Sequence, residues 1–123
     1  MGEKQIRVLI ANPTRFLRDS LYEALRQQPG FEVVEDVSEE AAIVPATERT
    51  DPDCLIVPLD DPSAPTLIYT EMLAKRPNMR IVAIGEGTNM VAVYWRCQAG
   101  DVRCTYTTAS RQNILRALRF STS

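Results

Sequence analysis

The chain contains no histidine among its 123 residues. That absence removes the commonest general base and the commonest metal ligand. Cysteine is scarce too: Cys54, Cys97 and Cys104 are odd in number and too scattered for a metal spacing. With no secretory leader before the first strand-like run, a reduced, cytoplasmic setting is expected. No apolar run approaches the ~20 residues that a membrane span requires, so a soluble protein without a membrane partner is expected. Charge of one sign is also lacking, since 14 basic residues against 16 acidic ones leave a formal net charge of -2. This balance argues against a strongly basic nucleic-acid surface. Arg15, Arg18 and Arg26, and again Arg111, Arg116 and Arg119, cluster in segments of helical periodicity and read as solvated helix faces. No glycine-rich phosphate loop, nucleophile–base pair or metal cluster is visible, so neither catalysis nor a cofactor is expected.

What is present is an alternation of short β-rich runs and amphipathic segments. Its 45% apolar content and its length fit a single domain over residues 1–123. Gln5 to Ala11 is an apolar, β-branched run of the kind buried on both faces in a central parallel strand, and Asn12-Pro13 ends it. Leu17, Leu21, Ala24 and Leu25 recur at helical spacing from Thr14 to Gln28, and Pro29-Gly30 stops that helix. Phe31 to Val37 reads as a second strand whose acidic interruptions suit an edge. Ser38 to Ala46 reads as a short or distorted helix because Pro45 falls inside it. Cys54 to Val57 is a third strand, followed by a loop from Pro58 to Pro65.

Thr66 to Arg76 predicts a helix with Ile68, Met72 and Leu73 inward, and Arg80 to Ile84 a fourth strand. After a loop at Gly85 to Gly87, Asn89 to Gln98 is read as a fourth helix ended by Ala99-Gly100. Val102 to Tyr106 is a fifth strand. The last helix, from about Arg111 to Phe120, is capped by Ser110 and turns Ile114, Leu115 and Leu118 inward. Five strands alternating with five helices predict an α/β doubly wound parallel sheet, because parallel neighbours need helical crossovers.

The stretches IRVLIANPTRFLRDSLYEAL, GFEVVEDVSEEA, DPDCLIVPLDDPSAP, RPNMRIVAIGEG and QAGDVRCTYTTAS together resemble the receiver domains of two-component response regulators. The likeness runs from Ile6 to Arg119 and is greatest to receivers that precede a helix-turn-helix output domain. It implies the flavodoxin-like strand order 2-1-3-4-5 with a functional crevice at the carboxyl ends of the strands. It also implies five site positions, and all five are changed here. The acidic pair that holds Mg²⁺ is replaced by Asn12 and Pro13, and the phosphate-accepting aspartate by Pro58. The hydroxyl residue after the fourth strand is replaced by Gly85, and the lysine after the fifth by Thr107. Asparagine and proline make a poor magnesium site, and proline offers no nucleophile, so the resemblance is to an atypical or pseudo-receiver. Asp60 and Asp61 are the acidic pair close by in sequence and read as part of a solvated, proline-rich loop.

In the family, the fourth helix, fifth strand and fifth helix form the face used for dimerisation or output-domain contacts. The segment expected to be that fourth helix holds Met90, Val91, Val93, Tyr94, Trp95 and Cys97, apolar nearly all round. A surface helix should carry one apolar stripe, so the surplus implies a partner. Val91, Tyr94, Trp95, Arg103 and Thr105 are therefore the expected interaction residues, with Trp95 as the main anchor. The function expected is a phosphorylation-independent signalling or transcription-regulation module that forms a homodimer or binds a protein partner. The alternative is a small-ligand sensor using the vacated crevice around Asn12, Pro13, Pro58, Gly85 and Thr107. Because the chain ends just after its last helix, DNA contact is expected only through an output domain that this chain does not carry.

Overall fold

The computed structural model describes residues 5–59, 67–85, 89–97 and 100–119. They fall into two compact units, Met1–Ile56 and Val57–Ser123. In chain order the elements are β1 (Ile6–Ala11), α1 (Arg15–Arg26), β2 (Phe31–Val37), a 3₁₀ turn (Glu40–Ala42), α2 (Ile43–Thr50), β3 (Cys54–Pro58), α3 (Leu67–Lys75), β4 (Arg80–Ile84), β5 (Met90–Arg96), β6 (Val102–Thr108) and α4 (Arg111–Leu118). No helix among the described residues is long and apolar enough to cross a membrane.

In the amino-terminal unit β1 pairs in parallel with both β2 and β3. Val8, Leu9, Ile10 and Ala11 are all buried, as an apolar run covered on both faces requires. Helices α1 and α2 both pack on β1 and β2. Gly30 takes φ +92 between α1 and β2, a conformation that favours glycine, and its carbonyl accepts the Ile6 N–H at 2.7 Å. Asp53 ties β1 to β3: its carboxylate accepts the Arg7 N–H at 2.9 Å while its own N–H donates to the Arg7 carbonyl at 2.8 Å. The second helix starts later than expected and is regular. Pro45 is its third residue, inside the first turn, where backbone N–H groups lack intrahelical acceptors anyway.

The carboxyl-terminal unit departs further from expectation. The segment read as a fourth helix, Asn89 to Gln98, contains the strand β5, antiparallel to both β4 and β6. The strand order is β2-β1-β3-β4-β5-β6, so the expected five-stranded order 2-1-3-4-5 with five helices becomes six strands with, among the described residues, four α-helices. The physical reason lies in the composition of Met90–Arg96. A run rich in β-branched and aromatic residues that is apolar on every side satisfies a central strand as well as a buried helix, and periodicity alone does not separate the two. Ahead of β6 the Gly100 N–H donates to the Cys97 carbonyl at 2.9 Å and Gly100 takes φ +95.

Helices lie on both faces of this part of the sheet. The Tyr69 ring of α3 lies 5.7 Å from that of Tyr94. The Arg80 guanidinium donates to the Leu118 carbonyl of α4 at 2.8 Å. Arg80 and Tyr94 project to opposite faces by strand alternation, since Ile81 is the register partner of Tyr94. Ser110 caps α4 as expected, its Oγ accepting the Asn113 N–H at 3.1 Å.

Candidate functional site

The β1–α1 loop of the amino-terminal unit is held by Asn12, which is only 5% exposed. Its N–H donates to the Val37 carbonyl at 3.1 Å, its Oδ1 accepts the Thr14 N–H at 2.8 Å, and its carbonyl accepts Arg18 Nη1 at 2.7 Å. The side-chain oxygen that could have ligated a cation is therefore committed to the start of α1, where Thr14 provides no side-chain cap of its own. Pro13 is exposed and brings no ligand atom. Asn12→Ala should lower stability by about 1 kcal/mol, because one part-buried loop hydrogen bond is lost without opening a large cavity. Urea denaturation checks this value.

In the carboxyl-terminal unit, Pro58, Gly85 and Thr107 lie at one end of β3, β4 and β6 but are not brought together, because β5 stands between β4 and β6. Pro58 closes β3, and the next residue, Leu59, donates its N–H to the Ile84 carbonyl at 2.9 Å. Gly85 follows Ile84 and donates to the Met90 carbonyl at 2.8 Å. Ile84 pairs with Val91, and Val91 with Thr107, which carries the row across three strands. These three positions offer no carboxylate and no amine, and a single hydroxyl on Thr107. Among the described residues no group of three or more Cys, Asp or Glu side chains is placed to hold a metal ion. Asp60 and Asp61 lie outside the described residues.

The five expected interaction residues separate into two sets. Val91 and Tyr94 are 0% and 1% exposed, so they are core residues of this unit and are removed from any contact surface. Trp95 is half-buried and pairs with exposed Arg103, while exposed Thr105 pairs with Val93. By alternation Trp95, Arg103 and Thr105 share the α4 face. The ladder also fixes which way the β6 backbone points. Cys97 N–H bonds to the Asp101 carbonyl and Ala109 N–H to the Asn89 carbonyl, both at 2.9 Å, so the hydrogen-bonded pairs with β5 include Arg103, Thr105 and Thr107. Val102, Cys104, Tyr106 and Thr108 turn their N–H and C=O groups away from β5. No described strand pairs with that edge, for β6 is the last in the order.

On the α3 face, Tyr94, Cys104 and Tyr106 adjoin one another. Burial pushes the Tyr94 phenol well above its ordinary range, reinforced by the charge that Cys104 and Tyr106 would carry when ionised. Desolvation likewise raises the Cys104 thiol, opposed by hydrogen bonds from Tyr106 and Tyr94. A raised thiol is a weaker nucleophile at neutral pH than an unshifted one. Two residues of interest escaped the sequence reading. Arg18 looked like one arginine on a solvated helix, and its bond back to the Asn12 carbonyl depends on loop geometry that spacing does not encode. Tyr106, 42% exposed, was signalled only by an aromatic in an otherwise polar strand.

No protein-family model matches this chain, and no curated protein matches it. Among solved structures, the response regulator domain of Thermotoga maritima CheB is similar, with a TM-score of 0.55 and 20% sequence identity. The likeness covers 69% of this chain and 66% of that chain, just under two thirds of its length. At that identity it establishes a receiver-like α/β fold and nothing finer.

Proposed function

We propose that this chain is a pseudo-receiver signalling domain that works without phosphoryl transfer and acts by pairing with a second copy of itself along β6. The observation that carries the proposal is the outer edge of β6, with which no described strand pairs. Arg103 to Tyr106 are consecutively exposed, although the neighbouring strand β5 is largely buried. Sheet edges are usually protected by proline, lysine, inward charge or a bulge. Residues Val102–Thr108 contain one charged side chain, Arg103, and no proline. The Thr108 carbonyl accepts Asn113 Nδ2 at 2.8 Å, and the outward backbone groups of Val102 and Cys104 complement an antiparallel copy of the same strand, which suits a closed twofold dimer. Any DNA contact in transcription regulation would fall to a separate output domain, and a bacterial, cytoplasmic setting accords with the reading.

Independence from phosphorylation rests on Pro58 at the end of β3 and on the commitment of Asn12 to its loop. Acetyl phosphate with Mg²⁺ should add no phosphoryl mass, and sedimentation velocity should show the same concentration-dependent dimerisation with and without it. A stoichiometric, hydroxylamine-labile adduct on intact-mass analysis, or a dimer that forms only after phosphodonor treatment, would overturn the proposal.

A further inference from the structure

A second feature lies wholly within the amino-terminal unit and needs none of β6. A cavity of about 260 Å³ opens at the carboxyl end of β2, lined by Arg18, Asp36, Val37, Ser38, Glu39 and Ala42. None of the five degenerate receiver positions lines it. Its walls carry opposite charges that do not pair. Ion pairs such as Arg15–Asp19, Arg26–Glu23 and Arg49–Glu35 form among the described residues, but none joins Arg18 to Asp36 or Glu39. The reason is visible in the tethering. Arg18 is drawn towards the β1–α1 loop by its 2.7 Å bond to the Asn12 carbonyl, which uses one of its five N–H donors. Asp36 is fixed in β2 opposite Ile10. Opposite charges held apart around one cavity favour a ligand that carries both complementary charges.

From this arrangement we infer that the cavity binds a small zwitterion of the α-amino acid class, its carboxylate on Arg18 and its ammonium on Asp36 and Glu39. Ser38 adds a hydroxyl that accepts or donates as the ligand requires. The size is in keeping, since sites for drug-sized ligands run from ~300 Å³ upwards and this cavity is smaller. Charge-assisted hydrogen bonds at both ends supply the selectivity. An open site in which both charges meet water gives weak affinity, in the range of about 1 mM. Position supports the same reading, because ligands of parallel α/β sheets gather outside the carboxyl ends of the strands.

The test is an NMR titration of the ¹⁵N-labelled full chain with L-alanine, propionate and ethylamine, reading the amides of Arg18, Asp36, Ser38, Glu39 and Ala42. L-Alanine should give saturable shifts confined to those residues, with both single-charge analogues at least about tenfold weaker. Asp36→Asn should weaken L-alanine by a similar factor while leaving the thermal melt in place, and Arg18→Lys should do so without removing the positive charge. Equal responses to all three compounds, no saturation up to tens of millimolar, or L-alanine binding unchanged in Asp36→Asn would each overturn the inference. The dimerisation assay reads the β6 proposal separately, so either can fail alone.

Discussion

Tyr94→Ala should be the most damaging single truncation in the carboxyl-terminal unit, lowering stability by about 3–5 kcal/mol. Tyr94 is 1% exposed and sits in the middle of the sheet, paired with Ile81 on one side and Cys104 on the other. The Tyr69 ring tilts at 48° to it. Removing the phenol would leave a void bordered by strands that cannot collapse into it without breaking two ladders, and it would strip the hydrogen bond shared with Cys104. Against a whole-domain stability of about 5–15 kcal/mol, such a loss removes a large share of the total and leaves a domain at the low end of that range substantially unfolded. Guanidinium denaturation of parent and variant gives the difference, and a change below about 1 kcal/mol would contradict the packing described.

The same residue sets an alkaline limit. Its folded-state pKa lies above the unfolded value, so its contribution is fully present below about pH 10 and is lost as pH rises from there towards the folded-state value, where the unfolded chain releases a proton that the folded chain retains. The Cys104 thiol is raised as well, and the same sign applies from the ordinary thiol range upwards. Tyr94→Phe should therefore be less stable than the parent at neutral pH but lose less on going to about pH 11. Thermal melts at the two pH values measure both differences. A steeper alkaline loss in the variant would place the limiting titration elsewhere.

How much was legible in the sequence follows from which signals are local. The ends of β2 and β4, and the cap on α4, are marked by proline, glycine and serine chemistry within a few residues, and the structure places them as read. The edge position of β2 was legible from Glu32, Glu35 and Asp36. Met90–Arg96 was not, because an apolar surplus reports burial and says nothing about pitch. The resemblance to receivers then supplied a helix where the local composition allowed a strand. That one exchange moved Tyr94 and Val91 into the core and placed β5 between β4 and the last strand, which is outermost in either order. The surface drawn from the sequence thus keeps only Trp95, Arg103 and Thr105. Asn12, Pro13, Pro58, Gly85 and Thr107 were legible as residue types, whereas the three hydrogen bonds that commit Asn12 depend on the positions of Val37 and Arg18 in space.

Proline substitutions on β6 should separate the fold from the pairing, because alternate residues point their N–H groups in opposite directions. Tyr106 turns its N–H away from β5, so Tyr106→Pro removes an outward donor while the β5–β6 ladder stays intact, a placement that edge strands tolerate. It should leave a folded protein that no longer dimerises. Thr105 directs its N–H at Val93, so Thr105→Pro breaks a ladder bond and leaves the buried Val93 carbonyl without its donor, costing about 1–3 kcal/mol of stability. Trp95→Ala tests the side-chain contribution on the α4 face. Loss of a tryptophan anchor costs about 2 kcal/mol or more, which weakens association roughly thirtyfold while the strand edge remains available. Sedimentation equilibrium over a range of concentrations, with circular dichroism to confirm folding, reads all three. If Tyr106→Pro dimerises as tightly as the parent chain, the outer edge is not the contact. If the parent stays monomeric throughout, pairing of two copies along β6 is excluded as the working form, because the outer edge then lacks the self-complementary strand that its backbone groups were argued to need.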